Sequence, residues 1–197
     1  MIILRASSYR TVPWKNGGGT TREILREPPE PTPFDWRLSL ATIDASGPFS
    51  SFAGYHRTLV LVKGTGVELD FGAQGRAKLT SVGQLASFDG GWATQGTLLH
   101  GSSEDLNLIV SKERTRSSSH SLQLTRPQPV QTAEWSDTLI CCVLGAIRLT
   151  NTAGHTEELG NVDVARCSPD DGAITCSPLG STPAWIFVAS LGPRSPA

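Results

Sequence analysis

The chain has 197 residues, 18% of them charged, with 20 Gly and 13 Pro. It is long enough for one large or two small domains, and its turn-rich composition suits a β protein better than a helical bundle. The net charge of −1 argues against a nucleic-acid binder, which would carry a basic face or stripe. The modest charge content argues against disorder of the whole chain.

Met1–Arg5 is a very short apolar run ending in a charge, which reads as no signal peptide. No later segment is apolar for long enough to cross a bilayer, so a soluble cytoplasmic protein is expected. Trp14–Ile24 (WKNGGGTTREI) holds three consecutive glycines. Such a run costs conformational entropy and invites close backbone approach, with exposed N–H groups able to cradle an anion beside Lys15 and Asn16. It lacks phosphate-loop spacing, and a plain turn entering the first domain is the alternative. Pro28–Pro33 is a loop, because each proline removes a backbone donor and restricts the residue before it.

Trp36–Ala41 alternates apolar and polar, as a half-buried strand does. Thr58–Lys63 (TLVLVK), closed by Gly64-Thr65-Gly66 and followed by the alternating Val67–Phe71, predicts a hairpin with its glycines at positive φ. Leu106–Val110 is a short apolar strand, Arg114–Ser121 a polar connector, and Ala184–Ala189 a fully buried strand. Pro193–Ala197 is expected to fray. Cys141, Cys142, Cys167 and Cys176 show no C-x-x-C spacing and read as reduced, apolar strand residues.

An internal repeat organises these strands. With an offset of 80, Thr58–Leu69 falls on Thr138–Leu149 without a gap. Near the same offset, Asn107–Ser111 falls on Ile186–Ser190. A duplicated unit of this size, rich in short strands and Gly/Pro turns, fits a jelly-roll barrel. The expected fold is therefore all-β, a bicupin of two tandem jelly-roll (double-stranded β-helix) barrels, over residues 1–113 and 114–197.

Cupin barrels often hold a divalent metal through G-x5-H-x-H-x3-4-E-x6-G and a later histidine. With Gly64 as the closing glycine, the acid position falls on Arg57, and no histidine lies within 50–53. The later histidine position falls near Trp92, and in the second half His120 alone precedes the repeated hairpin segment. No metal and no other cofactor is expected. A guanidinium facing into a barrel suits an anion instead, because it matches a carboxylate through two parallel hydrogen bonds. Alternatively, Arg57 caps the barrel mouth or pairs with Asp89. If Arg57 faces in, His56 faces out, since neighbouring strand residues point to opposite sides.

The Trp14–Ile24 segment resembles the opening signature of the HutD/Ves family. Supporting matches are Ser39–Ala41, Gly47–Gly54 (GPFSSFAG), Arg57–Leu59, Phe88–Gly90 and Asp105–Leu108. The chain departs from the family pattern at His56, Gly91 and Glu104. The resemblance implies a bicupin without established enzymatic activity. Members named HutD accompany bacterial histidine utilisation and are thought to bind a small acidic metabolite such as formylglutamate or urocanate, restraining the pathway; those named Ves are loosely tied to stress responses. Carried over residue by residue, the pocket comprises Lys15, Asn16, Gly17, Gly18, Thr21, Ser50 and Arg57, with Phe88 and Asp89 at its rim.

The reading that follows is an accessory or regulatory protein for small carboxylates, with no catalytic residues, no nucleic-acid or membrane partner, and a homodimer as the candidate assembly. The alternatives are a metal-free isomerase, lyase or hydrolase, for which Glu23, Asp89 and His56 are the candidate acid–base groups, and a structural or protein-binding module.

Overall fold

The computed structural model describes residues 1–14, 17–29, 33–132 and 136–194. Its strands are β1 (Ile2–Leu4), β2 (Arg10–Pro13), β3 (Gly19–Glu27), β4 (Trp36–Ile43), β5 (Gly47–Pro48), β6 (Tyr55–Gly64), β7 (Val67–Asp70), β8 (Arg76–Leu79), β9 (Leu85–Asp89) and β10 (Gln95–Leu98). They continue with β11 (Ser103–Ser111), β12 (Thr115–Leu124), β13 (Gln128–Val130), β14 (Asp137–Leu144), β15 (Ile147–Thr150), β16 (Thr156–Leu159), β17 (Val164–Cys167), β18 (Ile174–Pro178) and β19 (Ala184–Pro193). Three single-turn 3-10 segments are the helical content of the described residues, and none is long or apolar enough to cross a membrane.

The chain divides into two compact units, Tyr9–Thr115 and Met1–Ser8 with Arg116–Ala197. The first unit has a six-stranded sheet, β2-β3-β4-β11-β6-β9, and a four-stranded sheet, β5-β10-β7-β8. The second has β1-β17-β14-β19-β12 and β13-β18-β15-β16. Advancing each number by eight turns β4-β11-β6-β9 into β12-β19-β14-β17 and β5-β10-β7-β8 into β13-β18-β15-β16. The repeat seen in the sequence is thus a repeat of strand order.

Each unit closes on its own apolar core. In the first, Leu59 and Leu61 of β6 and Phe88 of β9 meet Val67 and Leu69 of β7 and Leu79 of β8. Fully burying one such side chain stabilises by roughly 1.5–3 kcal/mol. In the second, Ile140, Ile186 and Val188 pack with Ile147, Leu149 and Ile174 from the other sheet. Cys142, Cys167 and Cys176 belong to that core, and all four cysteines are buried and free.

Four expectations change. The segments Thr58–Lys63 and Val67–Phe71 do not form a hairpin, because β6 pairs with β11 and β9, whereas β7 pairs with β10 and β8. Gly64 and Gly66 do have positive φ, of 98° and 112°, but the turn carries the chain from one sheet to the other. The polar connector at Arg114–Ser121 is largely strand β12, at the edge of its sheet. An edge strand with one solvated face need not be apolar. The first eight residues, read as part of the N-terminal barrel, belong to the second unit: β1 pairs antiparallel with β17, Ile3 facing Ala165. Pro193 ends β19 rather than fraying, while residues 195–197 lie outside the described residues.

Candidate ligand site

The first unit contains a cavity of about 520 Å³. Strand alternation decides what faces it. On β4, Arg37, Ser39 and Ala41 point in, while Leu38 and Leu40 point to the opposite, buried face. On β11, Asp105 and Asn107 line the cavity, and on β6 Arg57 does. The register aligns these rows: Asn107 lies between Ser39 and Leu59, and Ile109 between Arg37 and Arg57. The remaining wall comes from Pro13, Trp14 and Thr21 on one side and the loop residues Pro48, Phe49, Ser50 and Phe52 on the other.

Arg57 is 3% exposed. Its Nε donates to Asn107 Oδ1 at 3.4 Å and its Nη1 to the Ser50 carbonyl at 3.0 Å. The guanidinium carbon lies 5.4 Å from the ring centres of Phe49, Phe52 and Phe88, the geometry of cation–π contact. Burial, opposed by nearby Asp105 and assisted by Arg37, lowers its pKa to about 10, so it stays cationic at neutral pH. Nη2 has no hydrogen-bond partner among the described residues. Arg37 also lies against Phe52, at 5.3 Å, and burial lowers its pKa too.

Asp105 is 1% exposed, and neither carboxyl oxygen has a hydrogen-bond partner. Burial pushes its pKa up to about 7, against the opposing pull of Arg57. A register shift in the β11–β6 pairing falls between Glu104 and Asp105, and such bulges commonly re-aim a side chain near a site.

The sequence-derived pocket is only partly assembled here. Thr21, Ser50 and Arg57 line the cavity, although Thr21 Oγ1 already accepts the Trp14 indole N–H at 2.7 Å. Lys15 and Asn16 lie outside the described residues. Gly17 and Gly18 belong to the β2–β3 hairpin turn rather than to the cavity wall. Gly17, at φ 71°, donates its N–H to the Trp14 carbonyl, and the Gly18 carbonyl accepts from Asp44. Gly19 has a packing reason, since a Cβ there would come within 2.0 Å of the Thr42 carbonyl oxygen. Phe88 is buried beneath Arg57 rather than at a rim. Asp89 pairs with Lys112 and accepts the Gly91 N–H, so it is not the partner of Arg57. Arg37, Ser39, Asp105 and Asn107 were not among the residues inferred, although D-L-N-L at 105–108 places two polar side chains on one face of an otherwise apolar strand.

Guanidinium groups do not ligate cations, and Asp105 is the one carboxylate among the described lining residues. This donor set does not fit a divalent metal.

The HutD family model matches residues 6–183. The chain belongs to the HutD family. Among curated relatives, an uncharacterised 21.2 kDa protein from the hutC 3′ region of Pseudomonas putida is 43% identical over 58% of this chain and 60% of its own length. Protein Ves of Citrobacter koseri is 36% identical over 52% of this chain and 54% of its own. The chain therefore spans a little over half the length of the curated relatives it matches. Solved structures extend the likeness to nearly the whole chain. A conserved protein of unknown function from Pseudomonas aeruginosa PAO1 superposes with a TM-score of 0.86 at 30% identity, covering 97% of this chain and 98% of that one. HutD from Pseudomonas fluorescens SBW25, solved in a formate condition, gives 0.82 at 30% identity over 98% and 99%. Oxalate decarboxylase of Lactobacillus farciminis gives 0.71 at 10% identity over 98% and 87%, which shows a cupin-like fold and nothing of the chemistry.

Proposed function

We propose that each unit is a cupin-type jelly roll, making the chain a bicupin, and that the first barrel binds a small carboxylate. On this reading the protein is a cytoplasmic accessory to histidine utilisation that senses an acid such as formylglutamate or urocanate. The observation carrying the proposal is Arg57, a buried cation lining the cavity with Nη2 available to a ligand. In a dry site, a charge-assisted pair between guanidinium and carboxylate is the strong kind of polar contact. The membership in a family linked to the histidine-utilisation locus, and a family structure solved in a formate condition, agree with this role.

Thermal-shift titration with formate, urocanate and formylglutamate tests it, because binding to the native state raises stability, by about 2.7 kcal/mol at a hundredfold excess over Kd. At least one acid should raise the wild-type Tm, and Arg57→Ala should abolish the shift. Equal shifts in wild type and variant, or none with any acid, refute the assignment.

Asp105 favours one second reading. A cavity carboxyl with pKa near 7 is suited to general acid–base work, whereas Glu23 and His56 are exposed and Asp89 is held by Lys112. Turnover of one of these acids, lost in Asp105→Asn, would make the protein an enzyme.

A further inference from the structure

The carboxylate reading leaves Asp105 unexplained. Buried carboxyl groups normally accept several hydrogen bonds, yet both oxygens here have no partner among the described residues. They are also shut away from solvent, so Asp105 cannot touch a bound molecule, and any influence it has on a ligand must travel through charge. Arg57 directs Nε to Asn107 and Nη1 to Ser50, leaving Asp105 aside. We propose that Asp105 is an internal counter-ion, competing at a distance with the anion held at Arg57 for the charge of the cavity's two arginines, so that anion binding draws a proton onto the Asp105 carboxyl. This inference rests on the carboxylate reading and adds a pH response to it.

The charges around the cavity support it. The ionisable groups among the described lining residues are Arg37 from β4, Arg57 from β6 and Asp105 from β11. Other charges on the neighbouring elements are engaged elsewhere or face solvent. Glu104, next to Asp105, pairs with Arg22 of β3 at 3.6 Å, and Glu23 of β3 and Lys63 of β6 are exposed. On the facing sheet Val67, Leu69 and Leu79 point into the core, while Glu68 and Asp70 pair with Arg76 and Lys78 is exposed. The two arginines therefore leave the cavity with a net of one positive charge when Asp105 is ionised, and of two when it is neutral. Residues two apart on a strand lie about 7 Å from each other, and Arg57 rests against Asn107. An anion on the free edge of Arg57 is then on the order of 10 Å from the Asp105 carboxyl, too far for contact and close enough for repulsion. Burial without a partner favours the neutral carboxyl and raises its pKa to about 7. A bound anion raises it further, because a like charge disfavours ionisation. Between the free and bound values the complex holds a proton that the free protein lacks. Affinity is therefore highest in acid and falls as pH climbs through that window.

Formate is the probe, because it stays ionised above about pH 6 and carries no second group to titrate. Calorimetric titration of the full chain, in buffers of different ionisation enthalpy, gives affinity and proton count together. Two like charges on the order of 10 Å apart in a partly screened site should weaken binding about tenfold. Wild-type affinity should fall by about that factor between about pH 6 and about pH 9, with about half a proton taken up per formate at about pH 7.5. Asp105→Asn should keep the wild type's low-pH affinity across the whole range and take up no proton. A merely structural role for Asp105 would change affinity without changing the proton count. The wild-type proton count needs no variant, so the coupling stays testable if a substitution impairs folding. Wild-type binding that ignores pH and buffer, or tightens as pH rises, overturns the coupling and leaves the carboxylate site standing. So does a pH response that persists in Asp105→Asn, since another group would then take the proton. Failure of formate to bind wild type at any pH overturns the carboxylate reading and this inference together.

Discussion

Asp105 makes a quantitative demand on the stability of the unliganded protein. Its pKa rises from an ordinary 3.8 to about 7 on folding. The folded state therefore holds a proton that the unfolded chain releases, and stability must fall as pH climbs between those values. At about 1.4 kcal/mol for each pH unit, the gap amounts to about 4 kcal/mol. Above about pH 7 both states are ionised and the penalty is constant. Asp105→Asn keeps the shape and removes the ionisation. The variant should match wild type near pH 4 and exceed it by about 4 kcal/mol at pH 8, a large share of a typical domain's total stability. Urea unfolding followed by tryptophan fluorescence across this range measures the difference directly. A difference independent of pH, or a wild type that gains on the variant as pH rises, would refute the buried, unpaired carboxylate.

Two further outcomes follow from the geometry. Asp89→Asn should change carboxylate affinity by less than about twofold and stability by less than about 1 kcal/mol, because Asp89 engages a solvent-accessible Lys112 away from the cavity; a titration and a melting curve check both. Cys142, Cys167 and Cys176 are pushed up to about 12 by burial, and Cys141 also upward. The native protein should therefore resist a thiol-specific reagent at neutral pH, whereas all four thiols should titrate in denaturant.

Alternation along strands was the most legible part of the sequence. It tied an outward His56 to an inward Arg57, and the structure shows His56 exposed and Arg57 buried. Extending the same alternation to β9 would have separated Phe88 from Asp89, since Phe88 is in register with Arg57 and Asp89 with His56. The repeat was legible because a duplicated strand order preserves the offset between matching segments. Partner choice was not. Two alternating strands joined by Gly-Thr-Gly look alike whether they pair with each other or pass into facing sheets, and long-range pairing decides which. The glycines of the β2–β3 turn suggested an anion cradle because a positive φ and a close approach leave the same mark on a sequence as backbone recognition. Asp105 escaped because its segment was read for apolar content, although a lone acid on the inward face of a buried strand is the costlier and more informative feature.

The placement of β1 makes chain order and spatial order disagree. Its hydrogen-bonding partner, β17, is synthesised more than a hundred and fifty positions later, a closure that slows the search for the native state. Cutting between Thr115 and Arg116 would not yield two self-sufficient halves: the upstream piece would carry away a strip of its neighbour's sheet, leaving β17 with an open edge. Any separate production of the second unit would have to graft Met1–Ser8 back on, and any fusion ahead of Met1 acts first on the unit encoded last.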